Sequence, residues 1–345
     1  MKPKVIAVVG PTASGKTNLA VKIARKYNGE IISCDSRQVY RGLDEGTAKI
    51  TAAEMNGITH HLLDICDIDT VYTATDFKRD ATIAVADSTT RGKLPIVTGG
   101  TFFYLDQLRG TASSAPVPPN QKLRQILEEK LTTELYTELK AKDPTRAASI
   151  DPHNKRRLVR SLEIIAAIGN VPETQRKKID SPYDFLVIGI TTEKDVLRER
   201  FKARAEVWLT GPFQAEVETL LANGTTRARL QEIGFEYRIM LDYIDRKLTD
   251  EAFIQTNIEK NWQYAKQQKT WLKRDENIVW EEAGEQAKIF AHIEHFLSWF
   301  YSLFPLHWAS QTNCNIFSAY SFDNKTEYLQ PSTKNVSWTA FAIQE

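Results

Sequence analysis

One octapeptide restricts the possible folds of this chain more than any other segment. Gly10-Pro11-Thr12-Ala13-Ser14-Gly15-Lys16-Thr17 follows the apolar run 5–9 and precedes a helical pattern. The G-x-x-x-x-G-K-T spacing between a strand and a helix is that of a phosphate-binding loop, whose backbone N–H groups and helix dipole surround phosphate oxygens. We therefore expect Lys16 to contact the outer phosphate oxygens and the Thr17 hydroxyl to bind Mg²⁺.

Further apolar runs predict the sheet to which this loop belongs. Residues 30–34, 93–98, 184–190 and 278–280 have the pattern of buried strands, separated by helical segments. Five parallel strands with a phosphate loop after the first predict an α/β, P-loop kinase-like core with sheet order 2-3-1-4-5. Ligands of such sheets bind beyond the carboxyl ends of the strands.

Polar residues follow two of these strands where a ligand would lie. Asp35-Ser36-Arg37-Gln38 comes after the second strand, and Gly99-Gly100-Thr101 comes after the third. Paired glycines indicate close approach of the backbone to a ligand. Asp35 is therefore expected to face the phosphate loop, either as a chemical group or as a helix cap and support for Thr17 and Mg²⁺.

The remaining chain is divided by composition. We predict a discontinuous catalytic core over 1–115, 183–202 and 250–297, and a mostly helical insertion over 116–182 and 203–249. The segment 112–119, rich in serine and proline, is typical of a linker. Residues 298–345 form an atypical, aromatic-rich tail for which the sequence suggests no purpose.

The balance of charge indicates which partners to expect. The 345 residues have a formal net charge of +1, so an anionic partner requires a local basic patch. Such a patch is present at Arg156, Arg157 and Arg160, and Arg176, Lys177 and Lys178 follow it. We interpret this cluster as a surface for a nucleic-acid backbone; the alternative is a solvated face.

Cysteine and histidine usage indicates a cellular compartment rather than a metal site. Cys34, Cys66 and Cys314 are widely spaced, which favours a reducing compartment. Neither a signal peptide nor an apolar run of membrane-spanning length occurs, so we expect a cytoplasmic protein with no membrane partner. The pair His60-His61 lacks a second ligand pair with zinc spacing and is expected to be structural or substrate-lining.

Several motifs together resemble the tRNA dimethylallyltransferase (tRNA isopentenyltransferase) family over residues 3–297. They occur in the family's order: GPTASGKT at 10–17, DSRQVYRGLDEGTAK at 35–49, HHLLDI at 60–65, GKLPIVTGGT at 92–101, RRLVRSLEI at 156–164, Gly-Phe-Glu at 234–236 and YAKQQKTW at 264–271. Each motif alone is modest, but the set is highly specific.

The resemblance implies that dimethylallyl diphosphate alkylates the exocyclic N6 of the adenosine 3′ to the anticodon, releasing pyrophosphate with Mg²⁺ assistance. It implies Asp35 as the base, with Thr101 and Lys16 as further catalytic residues, and a diphosphate on residues 10–17. The partners would be dimethylallyl diphosphate and the tRNA anticodon stem-loop, whose target base must be flipped out of its stack. We expect a monomer.

The resemblance also implies a set of residues that contact tRNA. They are Asp35, Ser36, Arg37, Gln38, Thr101, Arg156, Arg157, Arg160, Gly234, Phe235, Lys266, Gln268 and Trp271.

The chain departs from the family pattern at positions that bear on tRNA binding. Gln267 and Trp262 stand where the family often has arginine, and Glu236 stands where a base is frequent. Each departure is expected to remove a phosphate contact and to weaken the salt dependence of binding. Lys269 and Lys273 are candidates to compensate. Phe102-Phe103-Tyr104 replaces Gly-Leu-Tyr and is expected to reshape the allyl pocket.

Three other functions share some of these features. A small-molecule P-loop kinase would transfer phosphate from ATP. An adenine-nucleotide prenyltransferase would use the same donor on a free nucleotide. A non-enzymatic RNA-binding module would retain an idle loop. The basic helix favours RNA over a small metabolite, and intact Lys16, Thr17 and Asp35 favour an enzyme.

Overall fold

The fold is organised around one parallel sheet. The computed structural model describes residues 2–112, 115, 117–172 and 181–301. The strands are β1 Lys4–Val9, β2 Gly29–Ser33, β3 His60–His61, β4 Leu94–Thr98, β5 Asp184–Thr191 and β6 Val279–Glu282. They are hydrogen-bonded in the order β3-β2-β4-β1-β5-β6, and every neighbouring pair is parallel.

The predicted architecture is confirmed, with one addition. The five expected strands occur in the expected order, here β2-β4-β1-β5-β6. The addition is β3, which pairs His60 with Ile31 and His61 with Ile32 at the edge of the sheet. Two residues are too short a strand to produce a recognisable alternation of apolar and polar side chains.

Helices cover the sheet and extend from it. They are α1 Lys16–Lys26, α2 Ala52–Met55, α3 Ala74–Thr90, α4 Phe102–Arg109, α5 Gln121–Glu129, α6 Thr132–Lys142, α7 Pro144–Ser149, α8 Lys155–Ile168, α9 Lys194–Leu209, α10 Pro212–Ala222, α11 Arg227–Ile233, α12 Phe235–Ile244, α13 Asp250–Leu272 and α14 Gln286–Tyr301. Over the described residues, none combines the length and hydropathy that crossing a bilayer requires.

Strand β1 contributes to hydrophobic clusters on both faces of the sheet. Ile6 and Val8 pack in one cluster with Leu19 and Ile23 of α1. Val5 lies in the other cluster, which also contains residues of α3, α4, α10 and α12. A strand buried on both faces has no polar alternation, which explains the continuous apolar run that precedes the phosphate loop.

The helices between β4 and β5 have a core of their own. Leu135, Leu139 and Leu158 are fully buried in a cluster formed by α5 to α8. By contrast, α9, α10 and α12 contribute Trp208 and Phe213, among others, to the cluster that includes β1. The division into a core and an insertion stays a prediction. The helices of 203–249, however, pack in the cluster that includes β1 and not in the cluster of α5 to α8. Residues 176–178 and the tail from residue 302 lie outside the described residues.

Gly99, directly after β4, allows a close backbone contact that holds two strand ends together. A Cβ atom built on Gly99 would lie 2.1 Å from the carbonyl oxygen of Cys34, the residue that follows β2. Cys34 also donates its N–H to the carbonyl of Thr98 at 2.7 Å. No side chain can fit at position 99 unless the two segments separate.

We therefore expect Gly99→Ala to destabilise the fold by about 3 kcal/mol, because the added methyl group overlaps rigid backbone. Gly284→Ala is the matched control, since nothing lies within 4 Å of a Cβ atom at Gly284. Urea unfolding of both variants measures the difference. Equal midpoints would show that the approach at Gly99 is not tight.

Candidate active site

The phosphate-binding loop connects β1 to α1 and has the backbone of an anion-binding nest. Ala13 has φ 60° and Gly15 has φ 89°, so the backbone curls tightly here, and the N–H of Ser14 donates to the carbonyl of Pro11 at 3.2 Å. Ser14 is fully buried, and its Oγ has no hydrogen-bond partner among the described residues. A buried hydroxyl without a partner is costly. Phosphate oxygens would supply the missing acceptor.

Three cations surround this loop. Lys16 donates to the carbonyl of Pro11 at 3.3 Å, and Arg200 of α9 donates to the carbonyl of Ala13 at 2.7 Å. Burial lowers the pKa of Lys16 to about 8, although Asp35 opposes the shift. Burial also lowers the pKa of Arg204. Among the described residues no carboxylate lies within ion-pair distance of these three side chains. Their positive charges are therefore available to bind an anion.

The loop forms one wall of a cavity of about 730 Å³ at the carboxyl ends of β1, β2 and β4. Asp35, Gln38, Gly100 and Tyr264 line its other walls. Parallel register explains this convergence, because Val8, Thr98 and Ser33 are direct neighbours across the three strands.

Asp35 lines the same cavity as the phosphate loop. Its Oδ1 accepts the backbone N–H of Arg37 at 2.9 Å, which fixes the carboxylate on the turn after β2. A Cβ atom on Gly100 would lie 3.3 Å from Oδ2. Both interpretations of Asp35 are therefore compatible with its contacts: one oxygen supports the turn, and the other lies in the cavity.

Thr101 and Ser36 connect the same two strand ends. The Thr101 hydroxyl accepts the backbone N–H of Ser36 at 3.0 Å and donates to the Ser36 hydroxyl at 3.2 Å. Asp35 precedes Ser36, so these contacts bring the predicted base and Thr101 together.

Gln268 is buried inside the cavity wall and does not lie on an outer face. Its Oε1 accepts the N–H of Thr12 at 2.8 Å, and its Nε2 donates to the carbonyl of Gly100 at 3.0 Å. Gln268 thus bridges the phosphate loop and the segment after β4. Trp271 is also anchored within the protein, because its Nε1 donates to Asp106 at 2.9 Å. Lys266, on the same helix, is exposed.

Gly234 and Phe235 lie at the start of α12, beside the cavity-lining residues Glu236 and Tyr264. Phe235 contacts the Tyr264 ring edge-on, with centroids 6.3 Å apart. The next residue, Glu236, accepts from Arg37 at 2.5 Å. The expectation that Glu236 removes a phosphate contact stays a prediction; the structure adds that its side chain is buried against Arg37.

A carboxylate on α10 holds the turn that follows the Asp35 segment. Glu216 accepts the backbone N–H groups of Asp44 and Glu45 at 2.7 and 2.6 Å and the Tyr237 hydroxyl at 2.7 Å. Gln38 donates to the carbonyl of Thr47 at 3.2 Å in this turn. Glu216 therefore fixes the turn whose Thr47 carbonyl accepts the side-chain amide of Gln38.

The basic cluster on α8 is not brought to the cavity lining. Arg156 and Arg157 are exposed. Arg160 donates to the carbonyl of Val117 at 2.7 Å and forms an ion pair with buried Glu163. Arg160 is therefore partly structural, whereas its two neighbours are accessible.

Each histidine of the pair has a partner in the protein, and His60 also lines the cavity, so both the structural and the substrate-lining interpretations stay open. His60 Nδ1 lies 2.8 Å from the carbonyl of Ile58, and His61 Nε2 lies 2.8 Å from Glu30. Glu30, His61 and Asp87 offer ligand atoms within 4.8 Å of one another and could hold a metal ion. Arg91 already forms ion pairs with both carboxylates, however, so the cluster is electrostatically satisfied.

Sequence reasoning did not select Arg200, Arg204 or Glu216 as site residues. The two arginines are four residues apart on α9, a spacing that places them on one helical face. That spacing was the only available signal, since which face meets the phosphate loop depends on the packing of α9 against α13.

Comparison with known proteins gives a consistent result. A family described as IPP transferase matches residues 38–275. A tRNA dimethylallyltransferase from Halalkalibacterium halodurans is 38% identical over 288 residues, covering 81% of this chain and 91% of that relative. One from Levilactobacillus brevis is 40% identical over 295 residues, covering 84% of this chain and 95% of that relative.

Solved structures are similar over the same extent. A tRNA isopentenylpyrophosphate transferase from Bacillus halodurans has a TM-score of 0.63 at 36% identity, covering 86% of this chain and 96% of that one. A eukaryotic dimethylallyltransferase acting on tRNA has a TM-score of 0.73 at 27% identity, covering 89% of this chain and 81% of that one.

The unpaired cations of the loop generate a binding prediction. Arg204→Ala should weaken pyrophosphate binding about tenfold or more, because a charge-assisted contact contributes about 1.5–3 kcal/mol. Lys202→Ala is the matched control, since Lys202 is exposed on the same helix. Titration calorimetry with pyrophosphate measures both. Equal affinities for the two variants would remove Arg204 from the site.

Proposed function

Because the chain belongs to the tRNA dimethylallyltransferase family, we propose that it takes dimethylallyl diphosphate as donor and the N6 amine of the adenosine 3′ to the anticodon as acceptor. The chain transfers a dimethylallyl group to tRNA. The observation that carries the finer statement is a cavity in which a phosphate-binding loop and the Asp35 carboxylate face each other. One wall suits a diphosphate, and the opposite wall suits an amine that loses a proton.

The reaction exchanges one bond for another at the allylic carbon. The N6–C bond forms while the C–O bond to the diphosphate breaks, and pyrophosphate leaves with the electron pair. The N6 proton passes to Asp35, which becomes protonated. The exocyclic amine is a weak nucleophile because its lone pair is delocalised into the ring, so a base near it accelerates the step.

The leaving group gains charge as the C–O bond breaks, and the loop is built to stabilise that charge. Residues 10–17 would hold the diphosphate through backbone N–H groups, the Ser14 hydroxyl and Lys16. Arg200 and Arg204 approach from α9. Fixed donors directed at a developing charge are usually the largest contribution to catalysis.

Mg²⁺ is proposed as the cofactor at the start of α1. Thr17 is exposed at the mouth of the loop, and a hydroxyl beside phosphate oxygens is a donor set that Mg²⁺ accepts. When bound, Mg²⁺ neutralises charge on the diphosphate. Thr17 and Lys16 would then hold the same leaving group from two sides.

The acceptor base would enter on the side of the turn after β2. Ser36, Arg37 and Gln38 line or support this part of the cavity, and Thr101 is hydrogen-bonded to Ser36. An adenine flipped from a single-stranded loop could present its N6 amine between Asp35 and the donor. Gln268 would act by holding the phosphate loop against Gly100 rather than by contacting tRNA, because it is buried.

The anticodon stem-loop would bind outside the cavity. Exposed Arg156, Arg157 and Lys266 are the proposed contacts to its phosphates. Trp271 and Arg160 have internal partners, so their proposed contribution is to support this surface. A cytoplasmic location is proposed because Cys34 and Cys66 are free thiols. The monomeric state stays a prediction.

The reaction is tested with dimethylallyl diphosphate, Mg²⁺ and bulk tRNA, followed by mass analysis of the nucleosides. We expect a five-carbon addition to adenosine and no transfer of γ-phosphate from ATP. Label transferred from ATP, with unmodified adenosine, would identify a kinase instead.

Asp35→Asn tests the base. Turnover should fall about 10²–10⁴-fold because the amide cannot take the N6 proton, while its oxygen still accepts the N–H of Arg37. Affinity for tRNA should stay close to that of the parent protein. Asp69→Asn, at an exposed position, is the control for the loss of one carboxylate. A nearly normal rate for Asp35→Asn would exclude Asp35 as the base.

Arg157→Ala tests the basic surface. It should weaken tRNA binding more at low salt than at high salt and reduce the slope of log affinity against log salt by about one unit. Lys288→Ala on α14 is the control for the loss of one exposed cation. Filter binding over a series of salt concentrations measures both. An unchanged slope would mean that Arg157 is only solvated.

A further inference from the structure

A buried ion pair lies in the cavity wall, and the proposed reaction does not use it. Arg37 and Glu236 approach to 2.5 Å, and their side chains are only 18% and 4% exposed. Burial would lower the pKa of Arg37, but Glu236 and Asp35 outweigh that effect and raise it. The guanidinium is thus permanently charged and already has a counter-ion.

This pair contrasts with the other cations of the cavity. Lys16, Arg200 and Arg204 beside the phosphate loop have no carboxylate within ion-pair distance among the described residues. Arg37 is two residues from Asp35 and belongs to the wall where the acceptor base would enter. The donor half of the cavity, at the phosphate loop, therefore keeps unpaired cations, whereas Arg37 in the acceptor half, at residues 35–38, is ion-paired. Besides burial, the charges of Glu236 and Arg37 also act on Arg204, where the first raises and the second lowers its pKa.

Burying an ion pair costs free energy, because two charged groups lose their hydration. Neutral side chains at positions 37 and 236 would avoid this cost, so we expect the ion pair to serve a function. A free nucleotide carries a phosphate dianion into whatever pocket binds its base. A nucleotide within RNA leaves its phosphates on the polymer, where surface cations can meet them.

We propose that Glu236 sets acceptor specificity: by neutralising Arg37, it denies the acceptor half a cation for the phosphate of a free adenine nucleotide. The pocket then favours an adenine base presented by RNA. This inference rests on the proposed function of the same cavity. Within the enzyme Glu236 is a specificity-determining residue, since it acts through Arg37 and contacts no reacting atom.

The local geometry keeps Arg37 on its partner. A Cβ atom on Gly234 would lie 2.6 Å from Arg37 Nη1 and 2.8 Å from Glu236 Oε2. Only glycine therefore leaves room for the pair to close. Gly234 has φ −176°, an extended backbone that alanine also adopts, so a methyl group at this position separates the two ions without straining the chain.

Binding of AMP provides the test, because it needs neither tRNA nor the prenyl donor. Glu236→Gln should bind AMP about tenfold more tightly than the parent protein, with an advantage that falls as salt rises. The double variant Arg37→Gln/Glu236→Gln should return to the parent affinity, because the released cation is gone. Titration calorimetry measures all three, with thermal unfolding as the check on folding.

If Glu236→Gln folds poorly, Gly234→Ala is a second variant that separates Arg37 from its carboxylate partner. It releases Arg37 while keeping both charges, and should raise AMP affinity about threefold. Unchanged AMP affinity in folded Glu236→Gln or Gly234→Ala, or tight binding in the double variant, would overturn the proposal.

Activity assays separate this inference from the proposed function. We expect Glu236→Gln to gain dimethylallyl transfer to AMP while transfer to tRNA continues. If the parent protein does not modify tRNA at all, the proposed function fails whatever the AMP affinities are. If it modifies tRNA and Glu236→Gln still rejects AMP, the specificity proposal alone fails.

Discussion

The parallel register of β1, β4 and β2 is the constraint on which the rest of this structure depends. It brings three chain segments to one edge of the sheet: the phosphate loop, the turn that carries Asp35, and Gly99-Gly100-Thr101. The contact of Gly99 with Cys34 closes the last gap between them. A shift of one residue in either pairing would move Asp35 away from the loop, because successive strand residues point to opposite faces.

Helix α13 closes part of this edge of the sheet. Gln268 joins the N–H of Thr12 to the carbonyl of Gly100, and Tyr264 lies one turn earlier on the same helical face. Helix α9 packs beside α13 and directs Arg200 over the loop. The sheet therefore determines where the reacting groups stand, and the two helices determine how far the cavity is closed to water.

Much of this arrangement could be predicted from the sequence, and the limits have physical causes. The loop, the strand order and the position of Asp35 follow from local patterns and from the geometry of parallel sheets. Two-residue β3 escaped prediction because it is too short to have a period. The roles of Gln268, Arg204 and Glu236 escaped because each depends on a partner far away in the chain. Glu236 is nearly 200 residues from Arg37, and no spacing within one helix reveals that pairing.

Some cationic side chains of this protein form ion pairs that support its fold, whereas others have no carboxylate partner and are available to bind a ligand. Arg160 and Arg91 are paired with buried glutamates and support their own elements. Lys16, Arg200 and Arg204 lack such partners and require an anion, whereas Arg37 stands in the same cavity with its charge satisfied. An enzyme that joins a highly charged donor to a base within a polyanion must prevent phosphates from occupying the wrong half of its site. Pairing one arginine and leaving three other cations unpaired achieves that separation within a single cavity.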